Sequence, residues 1–303
     1  MISAQVVKEL REKTGAGMMD CKKALTEANG DMEKAIDILR EKGLASAAKK
    51  SGRVASEGVI ATFVTEDKKH AAVIELNCET DFVSSNEAFV QLANEIAEVA
   101  AKSEVKDVEE LKAMELNGTT VQDAVTNLIA KLGENMSLRR VIKMDAPDGL
   151  VSSYIHMGGK IGVLVQVKTE NTSDEVTSVA RDIAMHVAAL NPQFLDSTSV
   201  DADTIARERE IYRVQALNEG KPEKIVDKMV DGRMNKFFKE VCLVNQMFVK
   251  NPDLSIEGFL KEESKKHGEI ALVNFVRFEK GEGIEKEVVD FAAEVAAQMG
   301  LNK

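Results

Sequence analysis

Glu57-Gly58-Val59-Ile60 and Asp148-Gly149-Leu150-Val151 open two stretches that match at a constant offset of 91 residues. The offset holds without a gap for about forty residues. Phe63 aligns with Tyr154 and Val64 with Ile155, while Val73, Ile74 and Leu76 align with Leu164, Val165 and Val167. Further on, Leu92, Ala93, Ile96 and Ala97 align with Ile183, Ala184, Val187 and Ala188. Identities are sparse, so the shared apolar pattern carries the alignment. In each copy it reads as a β-hairpin followed by an amphipathic helix. The turns are polar or glycine-bearing: Glu66-Asp67-Lys68-Lys69 in the first copy, Gly158-Gly159-Lys160 in the second. A third strand comes later in each. Leu138 to Met144 serves the first, after a helix near Val121–Leu132, and Ile270 to Phe278 serves the second. The expected fold is α+β, with two three-stranded antiparallel sheets and helices on one face of each.

Residues 1–42 read as a separate three-helix bundle. Val6, Val7 and Leu10 line one face of the first helix, and Cys21, Ala24, Leu25 and Ala28 line the second. Asp31 is placed to cap a third helix carrying Met32, Ala35, Ile36 and Leu39. Gly43 is expected to end it. So few residues make a marginal core on their own. Residues 43–56 are small and basic and read as a linker, helical in part. The first repeat then spans 57–147. The second spans 148–203 and 251–285, interrupted by an insertion over 204–250, and a C-terminal helix covers 286–303. In the insertion, residues 204–219 form one helix, and Gly220-Lys221-Pro222 breaks it. A longer helix follows, with Val226, Val230, Met234, Phe237, Val241, Val244 and Phe248 in a coiled-coil-like stripe. About 25 residues at ~1.5 Å each reach ~40 Å, more than a small core can cover. The insertion is expected to be a helical hairpin arm whose stripe packs internally.

The 303 residues carry a net charge of −11. That balance opposes non-specific nucleic-acid binding, which relies on Lys and Arg neutralising phosphates. Aromatics are only 4% and Trp is absent, so the cores must be aliphatic. No apolar run approaches the ~20 residues of a membrane span, and no leader precedes the bundle, so export is not expected. Cys21, Cys78 and Cys242 are scattered and fit buried thiols in a reducing cytosol. Catalytic constellations are missing. His70, His156, His186 and His267 show no ligand spacing, and His186 is expected to be structural. Met157-Gly158-Gly159-Lys160-Ile161-Gly162 lacks the spacing of a phosphate loop. No metal site and no cofactor are expected.

What remains fits partner binding. Met18 and Met19 are adjacent at a helix start, so one of them should be exposed beside Arg11, Lys22 and Lys23. Asp81 and Phe82 stand together just past an apolar strand (Ala71 to Leu76), in a polar stretch. Read alone, Phe82 is most simply a core residue. The second copy has Ser173 at the equivalent position, so the shared fold does not require an aromatic there. That reverses the balance in favour of a partner's pocket.

The stretch Arg11-Glu12-Lys13-Thr14-Gly15-Ala16-Gly17-Met18-Met19-Asp20-Cys21-Lys22-Lys23-Ala24-Leu25 resembles the N-terminal signature of the bacterial elongation factor Ts family. Cys78-Glu79-Thr80-Asp81-Phe82-Val83 resembles its second signature. Blocks starting at His156, Met185, Lys228 and Phe278 resemble further family blocks in order, so the resemblance covers essentially the whole chain. It implies a ubiquitin-associated-like helical domain, a duplicated core and a coiled-coil hairpin. It also implies exchange of GDP for GTP on elongation factor Tu, with no membrane or nucleic-acid partner. Carried over, Arg11, Met18, Met19, Lys22 and Lys50 would touch the partner's nucleotide-binding domain. Thr80, Asp81, Phe82 and Val83 would sit at its magnesium and switch region, and Leu132, Gly133, His156 and Val249 would add contacts. Two positions depart from the family pattern: Lys250 after Val249, and Met157 directly after His156. A rival reading is a polypeptide-binding adaptor or chaperone acting through residues 1–42 alone.

Overall fold

The computed structural model describes residues 2–14 and 16–285. The expected C-terminal helix over 286–303 lies outside them. Three helices open the chain: α1 (Ala4–Thr14), α2 (Met18–Glu27) and α3 (Met32–Lys50). Val7 and Leu10, Cys21, Ala24 and Leu25, and Ala35 bury the small shared core their spacing anticipates. Asp31 caps α3, its carboxylate accepting the Lys34 N–H at 3.1 Å. Gly43 does not end α3 as the sequence suggests. The Leu44–Lys50 stretch is rich in Ala, Leu and Lys, strong helix formers that outweigh the ~1 kcal/mol cost of one interior glycine. The true connection is therefore only residues 51–56.

The first repeat runs β1 (Glu57–Val64), β2 (His70–Cys78), α4 (Asp81–Ser84), α5 (Glu87–Lys102), α6 (Val108–Ala113), β3 (Glu115–Leu116), β4 (Thr119–Thr120), α7 (Val121–Leu132) and β5 (Met136–Asp145). The second runs β6 (Gly149–His156), β7 (Ile161–Lys168), α8 (Asp174–Leu190), α9 (Ala202–Asn218), α10 (Glu223–Val241), β8 (Met247–Phe248), β9 (Asn251–Ser255), α11 (Ile256–His267) and β10 (Ala271–Glu279). The main sheets have the same order, β1-β2-β5 and β6-β7-β10, all antiparallel. The duplication reaches the backbone. A Cβ on Gly58 would lie 2.2 Å from the Leu76 carbonyl oxygen, and one on Gly149 would lie 1.9 Å from that of Val167. Both glycines and both carbonyls stand 91 residues apart. Each first strand thus needs a residue without a side chain where it crosses its neighbour.

Alternation along the strands sorts the side chains onto two faces. Val59, Ala61, Ala72, Ile74 and Leu76 pack with Phe89, Leu92, Ile96, Val125 and Leu128 of α5 and α7. Leu150, Val163, Val165 and Val167 pack with Val179, Ile183 and Val187 of α8 and with Ile256 and Leu260 of α11. The opposite faces meet each other through Ile60, Ala71, Val73, Val151, Leu164 and Phe278. The core is therefore four layers, helix–sheet–sheet–helix. This explains why β2 is buried from Ala71 through Cys78, leaving no polar face.

One charged residue lies inside this run. Glu75 is fully buried. A β-bulge between β2 and β5 sets Glu75 opposite Arg140 and Leu76 opposite Leu138, so Arg139 is the extra residue. The bulge lets both arginines reach one carboxylate, Arg139 Nη1 at 3.0 Å and Arg140 Nε at 2.5 Å. Asn77 Nδ2 and the Gly281 N–H also donate to it, at 3.0 and 2.7 Å. Gly281 follows β10, so this carboxylate joins the first repeat to the end of the second.

The arm is shorter than its apolar stripe implies. Helix α10 has 19 residues, or about 28 Å at ~1.5 Å each. It stops at Val241, whose carbonyl accepts the Gln193 and Phe194 N–H groups, and the Leu243 N–H then donates to Phe194. Leu243 and Phe248 belong to the second-repeat core, not to the arm. Val226, Val230 and Met234 do pack internally against Ala216 of α9, with Ile205, Tyr212 and Phe237 around them. Arg209–Asp231, Arg213–Asp227 and Arg233–Glu219 pairs at 2.8, 3.0 and 2.7 Å tie the two helices along their exposed sides. Because the arm satisfies its own stripe, replacing residues 204–238 with a short linker should leave a core that melts cooperatively. A product that binds ANS and lacks a melting transition would contradict this.

Candidate functional site

Strand β2 ends at Cys78, and two residues later the chain turns into the single helical turn α4. Thr80 caps it, its Oγ1 accepting the Val83 N–H at 3.4 Å. One turn has two faces, and the sequence fills them oppositely. Val83 and Ser84 point inward, Val83 joining the first-repeat core. Asp81 points out, and Phe82 is 86% exposed, the most exposed large apolar side chain among the described residues. The expected exposure of Phe82 is thus observed, on a helical turn. Val83, grouped with it by resemblance, supports the turn from below. In the second copy Ser173 leads directly into α8, so no equivalent turn exists.

The turn is braced from a distant part of the chain. The Glu79 and Thr80 N–H groups donate to Glu134 Oε2 at 3.2 and 3.0 Å, and Thr80 Oγ1 donates to Glu134 Oε1 at 2.6 Å. In return Glu79 Oε1 accepts the Asn135 N–H at 2.5 Å and lies 3.5 Å from Arg53 Nη1. Asn135 Nδ2 donates to the Arg53 carbonyl at 2.7 Å. Glu134 follows Gly133, the left-handed cap that ends α7. Leu132 is half-buried against the first-repeat core and Gly133 is exposed beside the turn's brace. Sequence reading missed Glu79, Glu134 and Arg53, because nothing in their spacing signals pairing between residues so far apart in the chain.

Met18 and Met19 are 56% and 63% exposed. Both face outward, where the sequence suggests only one, because Cys21, Ala24 and Leu25 already fill the α2 side of the bundle core. Arg11, Lys22 and Lys23 are exposed around them. The bundle is held against α7 by an Arg40–Asp123 pair at 2.6 Å and by Gly43 facing Thr126 and Ala130. Lys50 ends α3 with its Nζ donating to Ser46 Oγ at 2.6 Å.

The remaining expected residues lie on the second repeat. His156 ends β6, and its Nδ1 sits 3.0 Å from the Tyr154 hydroxyl. Met157 beside it is exposed and adopts a positive φ of 49°, a conformation uncommon for a residue with a side chain. Val249 is exposed, and its N–H donates to Nδ1 of buried His186 at 3.3 Å. The other His186 nitrogen bonds Gln246 Oε1 at 2.9 Å. Burial pushes the His186 pKa down against the opposing Gln246 bond, so the ring is neutral and structural, as expected. Lys250 is engaged internally, pairing with Asp182 at 2.6 Å.

The three cysteines are buried and unbonded to one another. Burial, then the Glu134 and Glu57 charges, pushes the Cys78 thiol up to about 12, and burial with Asp196 pushes Cys242 up to about 11. Neither is a nucleophile at neutral pH. Among the described residues no group of His, Cys, Asp or Glu has the geometry to hold a metal ion. No described helix is long and apolar enough to cross a membrane. What the surface offers is apolar side chains on rigid supports, suited to engaging another protein.

The family model described as Elongation factor TS matches residues 79–282. The chain is 58% identical over 307 residues to elongation factor Ts of Clostridium botulinum (strain ATCC 19397 / Type A), covering 100% of both chains. It is 59% identical over 303 residues to elongation factor Ts of Clostridium novyi (strain NT), covering 99% of each. It is also 59% identical over 303 residues to that of Clostridium tetani (strain Massachusetts / E88), covering 99% of this chain and 100% of the other.

Proposed function

This chain belongs to the elongation factor Ts family, and on that premise we propose how its surface works. It is a guanine nucleotide exchange factor for elongation factor Tu, acting in the cytoplasm during translation elongation, with no catalytic chemistry of its own. Its logic is linkage. A protein that binds the nucleotide-free partner more tightly than the GDP-bound partner must weaken GDP by the same factor. In such partners magnesium bridges the nucleotide phosphates. Phe82 acts as a wedge that enters the partner near this ion and shifts the element holding it, so the electrostatic clamp on GDP is lost. Asp81 competes for polar contacts at the edge of the metal shell, and Thr80 and Val83 hold the turn. Leu132, Gly133, His156 and Val249 extend the contact.

The observation that carries this reading is the exposure of Phe82 on a braced turn that the sister repeat lacks. The test is release of labelled GDP from elongation factor Tu with and without this protein. No acceleration at saturating protein would refute it.

We read the N-terminal bundle as ubiquitin-associated-like and the arm as a coiled coil. The three short helices around Leu10, Leu25 and Ala35 support the first reading, and the four-four-three spacing from Val226 to Phe237 supports the second. The bundle supplies affinity through Met18, Met19, Arg11 and Lys22, with Lys50 at the end of α3. Deleting residues 1–50 should therefore weaken binding to elongation factor Tu at least about tenfold, or ~1.4 kcal/mol. Titration calorimetry with the truncated and full chains measures this, and equal affinities would refute it.

A further inference from the structure

We propose that Glu134 is a positioning residue for Phe82, and that it governs how fast GDP leaves once the partner is bound. The inference rests on the wedge reading above and deepens it. Helix α4 has only four residues. A helix that short has no stability of its own in water. The direction in which Phe82 projects must therefore come from what holds the turn at its base. Below the turn, Val83 is seated in the core. Behind it, every polar atom of Thr80 is engaged. Its N–H and its hydroxyl donate to the Glu134 carboxylate at 3.0 and 2.6 Å. Its carbonyl accepts from the Cys78 thiol at 3.1 Å and from the Ser84 N–H at 3.1 Å.

Glu134 is suited to this work because its own position is fixed. It directly follows the Gly133 cap of α7, a helix that buries Val121, Val125, Leu128 and Ile129 in the first-repeat core. The same helix meets the N-terminal bundle through Asp123 and Arg40. One rigid element thus sets Phe82 and the Met18–Met19 surface in a common frame. Three donors on one carboxylate make charge-assisted bonds, stronger than neutral ones, and the Thr80 hydroxyl bond at 2.6 Å is the shortest of them. They organise the wedge before the partner arrives, so the ordering cost does not fall on the exchange step.

The test is GDP release from labelled-GDP elongation factor Tu, titrated with wild type, Glu134→Ala, Phe82→Ala and the double variant. Glu134→Ala should lower the maximal release rate about tenfold while the half-saturating concentration, set by the bundle, moves less than about twofold. In the Phe82→Ala background the same change should cost little more, because a positioning residue has nothing left to position. Glu134→Gln keeps the side chain's size and one acceptor oxygen, so it should fall between wild type and Glu134→Ala. It takes the place of the alanine variant in the cycle if that variant fails to fold. A normal rate for Glu134→Ala beside a defective Phe82→Ala would overturn the positioning role alone. So would losses that add in full in the double variant. A normal rate for Phe82→Ala would overturn the wedge and this inference with it.

Discussion

Phe82→Ala should slow GDP release from elongation factor Tu about thirtyfold, corresponding to ~2 kcal/mol lost from a central interface residue. It should leave the melting temperature within about 2 °C of wild type, as exposed substitutions do. Phe82 is 86% exposed, so its truncation opens no cavity in this chain. The contrast is Phe89, seven residues on, which is fully buried in the first-repeat core. Phe89→Ala should cost ~3–5 kcal/mol of folding stability through lost burial and cavity formation. Release kinetics and thermal melting on Phe82→Ala therefore separate the two roles in one variant. Normal exchange combined with a melting point many degrees lower would end the wedge model.

Glu75→Ala should have the reverse profile, a large loss of stability with no direct effect on the contact surface. The carboxylate is fully buried and accepts from Arg139, Arg140, Asn77 and the Gly281 N–H. Its removal takes the shared anionic acceptor from both guanidinium groups, which keep only their contacts to Glu282 and the Glu279 carbonyl, and leaves the Gly281 N–H without its acceptor. Breaking a buried pair from one side costs ~3–5 kcal/mol. At roughly 2–4 °C per kcal/mol, the melting temperature should fall by about 6 °C or more. The effect should depend on pH in a defined direction. Burial alone would push the Glu75 carboxyl up. The Gly281 N–H, the Asn77 amide and Arg140 outweigh it and hold the pKa below the usual glutamate value. A depressed folded pKa contributes stability that is full above the unfolded value of ~4.3. That stability is lost as pH falls through the folded value. The gap in melting temperature between wild type and Glu75→Ala should therefore be constant near neutrality and narrow as the pH drops below about 4. A gap that widens in acid would refute the assignment.

The duplication was legible because burial imposes the same apolar pattern on both copies even where identities are gone. Its glycine pair, Gly58 and Gly149, was in view as aligned residues, but the close carbonyls that demand them were not. Phe82 was legible for a different reason: the sister copy puts Ser173 there, so the scaffold could be subtracted. What stayed hidden depends on pairings far apart in the chain. Glu75 sits in an apolar run, and only a bulge in β5 shows how two arginines reach it. The end of α10 was misread because Val244 and Phe248 continue the arm's spacing. They leave the helix once the Phe194 carbonyl captures the Leu243 N–H. Local periodicity cannot report a competing partner that is distant in sequence. Gly43 shows the opposite case, where a local stop signal is overridden by strong helix formers after it.

The face where the two sheets meet has a consequence for what the molecule is. Ile60 and Val151 lie on it, as do Val73 and Leu164, and each pair is one position of the repeat seen twice. Matching positions facing each other across a common axis are the signature of an isologous dimer. Here both protomer-like halves belong to a single polypeptide, so the pairing is independent of concentration. Covalent fusion also releases the halves from having to be identical. One half carries the Phe82 turn and the other the arm, and each chain therefore presents a single such turn on a scaffold whose symmetry would otherwise supply two.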